Sequence, residues 1–239
     1  PTDEYTGIEV GFSRLYADLP ATGEFLRAVF TDVAAMTPGP YVHIGGDEVP
    51  HGAWMGSPIA RAAAEARGLT TTAEIEAQFH RDLAAMIRTE FGRDVAAWEE
   101  VGLGGVEPGA YAIAWRSAES GQRLAAAGHR VVMAPGQAYY LDMAFDRDFD
   151  APGATWAGNV PLETTCAFDP RIDGIDELPG ELLGVQACIW SEHVSSLDVL
   201  DRLTFPRLDA IAERGWRGDV AGGAASLARR AADLPRFTS

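Results

Sequence analysis

A chain of 239 residues can build one large domain with a substantial core, or two small ones. Its composition, 47% apolar and 23% charged, is that of an ordinary globular protein, and no run of 18 apolar residues offers a membrane-spanning helix. A net charge of −16 repels phosphate backbones and anionic lipid surfaces, which sets nucleic acid and membrane aside as partners. All 19 basic residues are arginine, as GC-rich coding would produce. Asp3, Glu4, Glu9 and Asp18 interrupt the first twenty residues, so no signal peptide is visible there. Two cysteines, Cys166 and Cys188, are too few for a disulfide framework and read as buried thiols. No Cys/His spacing resembles a zinc site.

Taken in chain order, the pattern begins with a helix from about Thr22 to Met36. Phe25, Leu26, Val29, Phe30 and Val33 share one of its faces. A buried strand is predicted next, at Tyr41–Ile44. The second helix runs from about Thr71 to Phe91, with Ile75, Phe79, Leu83, Met86 and Ile87 on its apolar face. Thr71 and Glu74 have the spacing of a capping box, and Gly92 ends the helix. Buried strands are predicted at Asp94–Ala97, Ala110–Ala114 and Arg130–Ala134, with a helix at Ser117–Ala127 before the last of these. The Asp-, Pro- and Gly-rich stretch Ala144–Gly180 reads as one long loop over an end of the domain, and loops of that length tend to be functional. A fifth buried strand is predicted at Leu183–Ile189. A helix from Leu197 to Glu213 is broken or kinked by Pro206, and a short Ala/Arg-rich helix covers Gly222–Asp233. Short apolar runs alternating with longer amphipathic ones describe a parallel α/β fold.

The residues that carry chemistry lie just past the strand ends. After the first strand come Gly45, Gly46, Asp47 and Glu48. After the second come Trp98, Glu99 and Glu100, and after the third comes Trp115. Tyr139, Tyr140 and Asp142 come after the fourth, and Trp190, Ser191 and Glu192 after the fifth. In a β/α barrel these ends share one face and surround one pocket, although an open parallel sheet also gathers its strand ends. Tryptophan faces cover the apolar C–H faces of a pyranose, and carboxylates accept from its hydroxyls, so the expected ligand is a sugar. Trp216 is assigned to the core, and Trp54 and Trp156 to surface loops. Two glycines let the backbone turn sharply after the first strand, so both Asp47 and Glu48 can face the pocket. Neighbouring carboxylates repel when both are ionised, which divides them into one acid and one anion, as glycoside cleavage requires.

The segment His43-Ile44-Gly45-Gly46-Asp47-Glu48 resembles the signature of glycoside hydrolase family 20, the β-N-acetylhexosaminidases. The likeness continues in family order through Ala97-Trp98-Glu99-Glu100, Ala114-Trp115, Tyr139-Tyr140-Leu141-Asp142 and Gly184-Val185-Gln186-Ala187-Cys188-Ile189-Trp190-Ser191-Glu192. The resemblance implies a (β/α)8 TIM-barrel type of α/β fold and a retaining, substrate-assisted mechanism in which the substrate's own 2-acetamido oxygen is the nucleophile. It implies that Glu48 is the general acid and later the base, that Asp47 accepts the acetamide N–H, and that Tyr140 donates to the acetamide oxygen. Trp98, Trp115 and Trp190 would wall the sugar, and Asp142 and Glu192 would bind ring hydroxyls. His43 reads equally well as a residue behind the site or as a core histidine. The implied substrate is an oligosaccharide or glycoconjugate ending in N-acetylhexosamine, with no metal or organic cofactor, and the family leans toward secretion. In the family the Asp-Glu pair lies after the fourth strand, and an arginine of the first strand grips the sugar. Residues 1–239 are therefore expected to hold only the last five βα units, strands four to eight. The arginine would belong to a missing N-terminal part of the same protein, and the fragment's strand edges would be left open. Two other readings remain: a metal-dependent barrel enzyme using Asp47, Glu48, Glu99, Asp142 and Glu192 as hard oxygen ligands, and a non-catalytic amino-sugar-binding protein on the same scaffold.

Overall fold

The computed structural model describes residues 20–49, 53–107, 109–148, 150–172 and 174–237. The chain divides into two compact units, Pro1–Ala112 and Ile113–Ser239. The first contains helix α1 (Pro20–Met36), strand β1 (Tyr41–His43), helices α2 (Pro58–Ala66) and α3 (Thr72–Phe91), strand β2 (Asp94–Trp98), helix α4 (Glu99–Leu103) and the start of strand β3 (Tyr111–Ala114). The second contains the end of β3, helix α5 (Ala118–Ala126), strand β4 (Arg130–Met133), helices α6 (Gly136–Tyr139) and α7 (Leu162–Ala167), and a 3-10 turn at Ile175–Glu177. Strand β5 (Glu181–Val185) and helices α8 (Leu197–Thr204), α9 (Arg207–Arg217) and α10 (Gly223–Ala231) complete it. The fold is α/β, and its strands lie in chain order from β1 to β5.

In the first unit β1 and β2 pair in parallel, with Tyr41 opposite Asp94, Val42 opposite Val95 and His43 opposite Ala96. The helix α3 buries Leu83, Ala84 and Ile87 against Val42, Val95 and Ala97. Its capping box is complete: Thr71 Oγ1 accepts from Glu74 N at 3.2 Å, and Glu74 Oε2 accepts from Thr71 N at 3.0 Å. Gly92 closes the helix with a left-handed φ of 63°. The face expected on α1 is narrower than its sequence suggests. Phe30 is buried and Leu26 and Val33 pack beside it, but Phe25 is 55% and Val29 38% exposed, because only one edge of the helix meets the core. Helix α2 has no counterpart among the predicted elements. It buries only Ala60 and Ala64, and so small an apolar stripe carries little periodic signal.

In the second unit β4 and β5 pair in parallel from Arg130 opposite Glu181 to Met133 opposite Val185, with an irregularity after Val131 that leaves Leu183 unpaired. The predicted fifth strand is thus misplaced: it starts two residues earlier and ends at Val185 instead of Ile189. Nor is it a buried strand, since Glu181 and Leu183 are exposed. Its end is set by its partner. Past Met133 the neighbouring chain turns into α6, and a regular ladder has nothing to pair with. Single bonds continue instead, from Gln186 N to Met133 O at 3.0 Å, Cys188 N to Tyr139 O at 3.1 Å and Leu141 N to Cys188 O at 2.7 Å. Pro206 breaks the long C-terminal helix as expected, since α8 ends at Thr204 and α9 begins at Arg207. The stretch Ala144–Gly180 is more than a loop, because α7 interrupts it. Thr165 and Cys166 of α7 are buried, and Cys166 packs with Ala210 of α9. Cys166 and Cys188 are both free, buried thiols. Two tryptophan assignments are corrected. Trp216 is 90% exposed on α9 instead of lying in the core, because it stands opposite the face that buries Ala210, Ile211 and Arg214. Trp54 is 8% exposed and packs on Ala60, Ala64 and Ile75 instead of lying in a surface loop.

The capping box gives a direct test of α3. Thr71→Ala should lower stability by about 0.5–2 kcal/mol, and Thr71→Ser should retain most of it. Urea unfolding of both variants measures this, and equal midpoints for all three proteins would remove the cap from the account.

Candidate active site

The first unit brings one group of the sequence-predicted residues to the end of β1. Pairing outlasts the strand: Ile44 N donates to Ala96 O at 2.8 Å, and Trp98 N to Gly45 O at 3.1 Å. The turn after β1 is therefore anchored to the end of β2. Gly45 and Gly46 take left-handed φ values of 71° and 95°. At Gly46 space is also decisive, because a Cβ would lie 2.0 Å from Val101 Cγ2 and 3.2 Å from His80 Nε2. The turn lies flat on α4 and on His80 of α3. Burial pushes His80 down to about 4, so at neutral pH the turn rests on an uncharged imidazole.

Asp47 leaves this turn half-buried and Glu48 exposed. Glu48 has φ 51°, a left-handed conformation that costs a residue with a Cβ on the order of 1–2 kcal/mol. Strain of this kind persists where the surroundings impose it, and it concentrates at functional sites. His43 Nδ1 accepts from Gly45 N at 3.1 Å, so the proton of its neutral ring sits on Nε2. The ring stands edge-on to Trp98, with centroids 5.3 Å apart and planes at 74°. His43 is exposed at the end of β1. The protein packed against its ring still removes enough water to lower its basicity, and the charge of Asp47 opposes that shift. Of the carboxylates after β2, Glu99 is sealed from solvent on α4 and Glu100 is half-buried.

The second unit gathers Trp115, Tyr140, Asp142, Trp190 and Glu192. Trp115 lies just after β3 and is pinned by Gly136 N donating to Trp115 O at 2.8 Å. Its ring lies nearly parallel to Tyr140, with centroids 6.4 Å apart and planes at 20°. Trp190 is tilted at 52° to Tyr140 with centroids 6.3 Å apart. A third tryptophan, expected only on the surface, completes the cluster. Trp156 is edge-on to Trp115 at 5.8 Å and to Tyr140 at 5.5 Å. It does lie in a loop, half open to solvent, but it rests on Gly136, where a Cβ would come 2.6 Å from Trp156 Cη2. A tryptophan inside a loop of functional length, together with a glycine just past a strand end, was the available signal.

Beside this aromatic cluster Asp142 is 3% exposed, and its Oδ1 has no hydrogen-bond partner among the described residues. Burial raises its pKa above the usual carboxylate range. The backbone N–H groups of Asp142 and Trp190 oppose the rise, Glu192 adds to it, and Arg207 counters it. Glu192 itself is exposed. The arrangement has the parts to hold a pyranose: apolar ring faces, a phenol and acceptor carboxylates. Among the described residues no three His, Cys, Asp or Glu side chains gather to hold a metal ion, and no helix is long and apolar enough to cross a membrane.

The packing under the first turn generates a paired prediction. Gly46→Ala meets both a left-handed φ and Val101, whereas at Gly45 the nearest atom to a new Cβ is Asp47 Oδ1 at 3.9 Å. Gly46→Ala should cost about 1–3 kcal/mol more than Gly45→Ala. Denaturation midpoints decide it; equal losses would mean that backbone conformation alone matters there.

Comparison with known proteins agrees with these features. The model of glycosyl hydrolase family 20, catalytic domain, matches residues 3–219. The chain is 41% identical over 221 residues to a β-N-acetylhexosaminidase of Cellulomonas fimi, covering 90% of this chain and 40% of that protein. It is 35% identical over 200 residues to a β-hexosaminidase of Vibrio furnissii, covering 82% and 33%. The chain thus spans well under half the length of these relatives. Among solved structures it superposes on a family 20 exo-β-N-acetylglucosaminidase from Vibrio harveyi in complex with N-acetylglucosamine. There the TM-score is 0.81 at 34% identity, over 89% of this chain and 34% of that one. It also superposes on the Streptomyces plicatus N-acetyl-β-hexosaminidase, with a TM-score of 0.69 at 30% identity, over 91% and 40%. Residues 3–219 matching one family model, with the signature turn and the aromatic cluster in place, show that this chain belongs to the catalytic-domain family of glycosyl hydrolase family 20.

Proposed function

We propose that the chain carries the catalytic residues of an exo-acting, retaining β-N-acetylhexosaminidase that removes terminal β-linked N-acetylglucosamine or N-acetylgalactosamine. The observation that carries this reading is Tyr140 ringed by Trp115, Trp156 and Trp190 next to the buried acceptor Asp142. A ring of this kind suits an acetamido sugar, whose amide is flat and whose pyranose has an apolar face. The Vibrio harveyi structure, solved with N-acetylglucosamine, supports the same choice of ligand.

In this reading the substrate's acetamide oxygen attacks the anomeric carbon, and the leaving oxygen takes a proton from Glu48. An oxazolinium ion forms, and water activated by Glu48 opens it with net retention. Asp47 accepts the acetamide N–H and balances the positive charge that develops on it. Tyr140 donates to the acetamide oxygen and aims it. Trp98, Trp115, Trp156 and Trp190 enclose the sugar, and Asp142 and Glu192 accept from its hydroxyls. A nucleophile carried by the substrate makes the attack intramolecular, and good orientation supplies about 7–11 kcal/mol. General acid catalysis by Glu48 adds about 10²–10⁴-fold. Neither a metal nor an organic cofactor enters any step. The strands β1 to β5 are read as strands four to eight of a (β/α)8 barrel, which their parallel pairing and chain order support.

Two measurements on the full-length protein test the roles. Glu48→Gln should lose most turnover on glycans and much less on aryl N-acetyl-β-glucosaminides, because an acidic phenol leaves with little protonation. Equal losses on both substrates would remove Glu48 as the acid.

Asp47→Asn should be as damaging as losing the acid, and glycosides lacking the 2-acetamido group should not be turned over. A glycosyl group trapped covalently on Asp142 or Glu192 and seen by mass spectrometry would replace this mechanism with an enzymic nucleophile.

A further inference from the structure

Arg207 is the largest side chain sealed completely from solvent among the described residues, and none of the proposed catalytic steps uses it. It opens α9, directly after Pro206. Its guanidinium ends on backbone oxygens. Nη1 donates to Met143 O at 2.8 Å and Val160 O at 2.9 Å, and Nη2 to Leu141 O and Leu203 O, each at 2.6 Å. Phe145 lies under the guanidinium, with Cζ 3.8 Å from the ring centroid. Burial lowers the pKa of Arg207 to about 10 and the charge of Asp142 opposes that shift, so the group is a cation at any working pH.

The pattern of carbonyls is what gives this residue a role. From Leu141 to Ala144 successive carbonyls alternate between two sets of partners. Those of Asp142 and Ala144 accept from Ala154 N and Val160 N, at 2.7 and 2.9 Å. Those of Leu141 and Met143 both accept from Arg207. One planar fork therefore sets the spacing and pitch of the segment from which Tyr140 and Asp142 project. The same fork is the cation that acts on Asp142, whose Oδ1 is buried without a partner among the described residues. A buried carboxylate with an open acceptor position awaits a donor, and a substrate hydroxyl would be one.

We propose that Arg207 is a positioning residue for sugar binding: its guanidinium locks the Leu141–Met143 backbone so that Tyr140 and Asp142 keep their mutual aim. The inference rests on the glycosidase reading. The fork supplies the geometry, the guanidinium charge adds a pull toward the ionised form of Asp142, and two substitutions divide the two. Arg207→Lys keeps the charge and loses the planar, four-bond fork. Arg207→Gln keeps two donors and loses the charge. The groups that act on Asp142 besides Arg207 are Glu192, which disfavours its ionised form, and the N–H groups of Asp142 and Trp190, which favour it. The thiol of Cys188, which senses the Asp142 charge, is itself pushed up by burial and stays neutral. Arg207 is thus the cation that the substitution removes from this set. A carboxylate whose pKa rises loses its ionised form at higher pH, so the direction of the change is defined.

The experiment is a kcat/KM profile against pH for the full-length wild type and both variants on an aryl N-acetyl-β-glucosaminide, with folding checked by circular dichroism. For Arg207→Lys we expect KM to rise about 10- to 100-fold with the acid limb where the wild type has it. For Arg207→Gln we expect the acid limb to move to higher pH. Folded variants whose loss of rate is uniform with pH and leaves KM unchanged would overturn the proposal. So would failure of both variants to fold, which would reduce Arg207 to a structural strut. A wild type that neither hydrolyses the glycoside nor binds N-acetylglucosamine would instead sink the glycosidase reading, and this inference with it.

Discussion

Backbone amides at the end of a parallel strand need partners as much as those within it, and the chemistry of this chain depends on how that need is met. A buried N–H or C=O left unpaired costs as much as a lost hydrogen bond, so pairing continues past the regular ladder wherever the chain remains enclosed. In the first unit the bond from Trp98 N to Gly45 O carries β2 one step beyond β1 and fixes the root of the turn that presents Asp47 and Glu48. In the second unit the bonds between Cys188 and the Tyr139–Leu141 segment do the same past the end of β4 and β5, and they fix the root of Tyr140. The side chains proposed to act on the sugar begin close to these last bonds. They stand on short, tied backbone instead of free loops.

Each unit then supports its candidate segment from beneath, by different means. Under the Gly46 turn the support is contact: Val101 and an uncharged His80 fill the space a side chain would need. Under the Tyr140–Asp142 segment the support is a buried cation that bonds four carbonyls. The electrostatic consequences differ accordingly. Asp47 is half-buried and Glu48 exposed, whereas Asp142 is enclosed and its ionisation is a balance between burial and the charges around it. A left-handed Glu48 and an Asp142 oxygen without a partner among the described residues both cost folding energy, and the surrounding structure holds each in place.

Much of this was legible in the sequence because its signals are local. The capping box at Thr71 and Glu74, the left-handed stop at Gly92, the break at Pro206 and the glycine pair before Asp47 depend on residues a few positions apart, and all appear where the spacing puts them. The existence of five parallel-type strands was equally legible from short, continuous apolar runs. The family signature was readable for the same reason: His43 to Glu48 are consecutive, and their chemistry is compressed into one turn.

What the tertiary structure alone decided depends on partners distant in the chain. The fifth strand ends at Val185 because its neighbour bends into α6, and nothing within Leu183–Ile189 records that. Trp54, Trp156 and Trp216 carry similar local patterns, yet one is buried, one joins the aromatic cluster and one faces solvent, according to what packs against each. Arg207 looks in sequence like any arginine at the start of a surface helix. Only the fold brings the carbonyls of Leu141, Met143, Val160 and Leu203 around its guanidinium. The sequence by itself determined which residues could turn, cap, cover a sugar or move a proton, because those capacities belong to residue types and short spacings. Which of them became sealed, charged or aimed was left to long-range packing, because burial and hydrogen bonding are completed by groups tens of residues away.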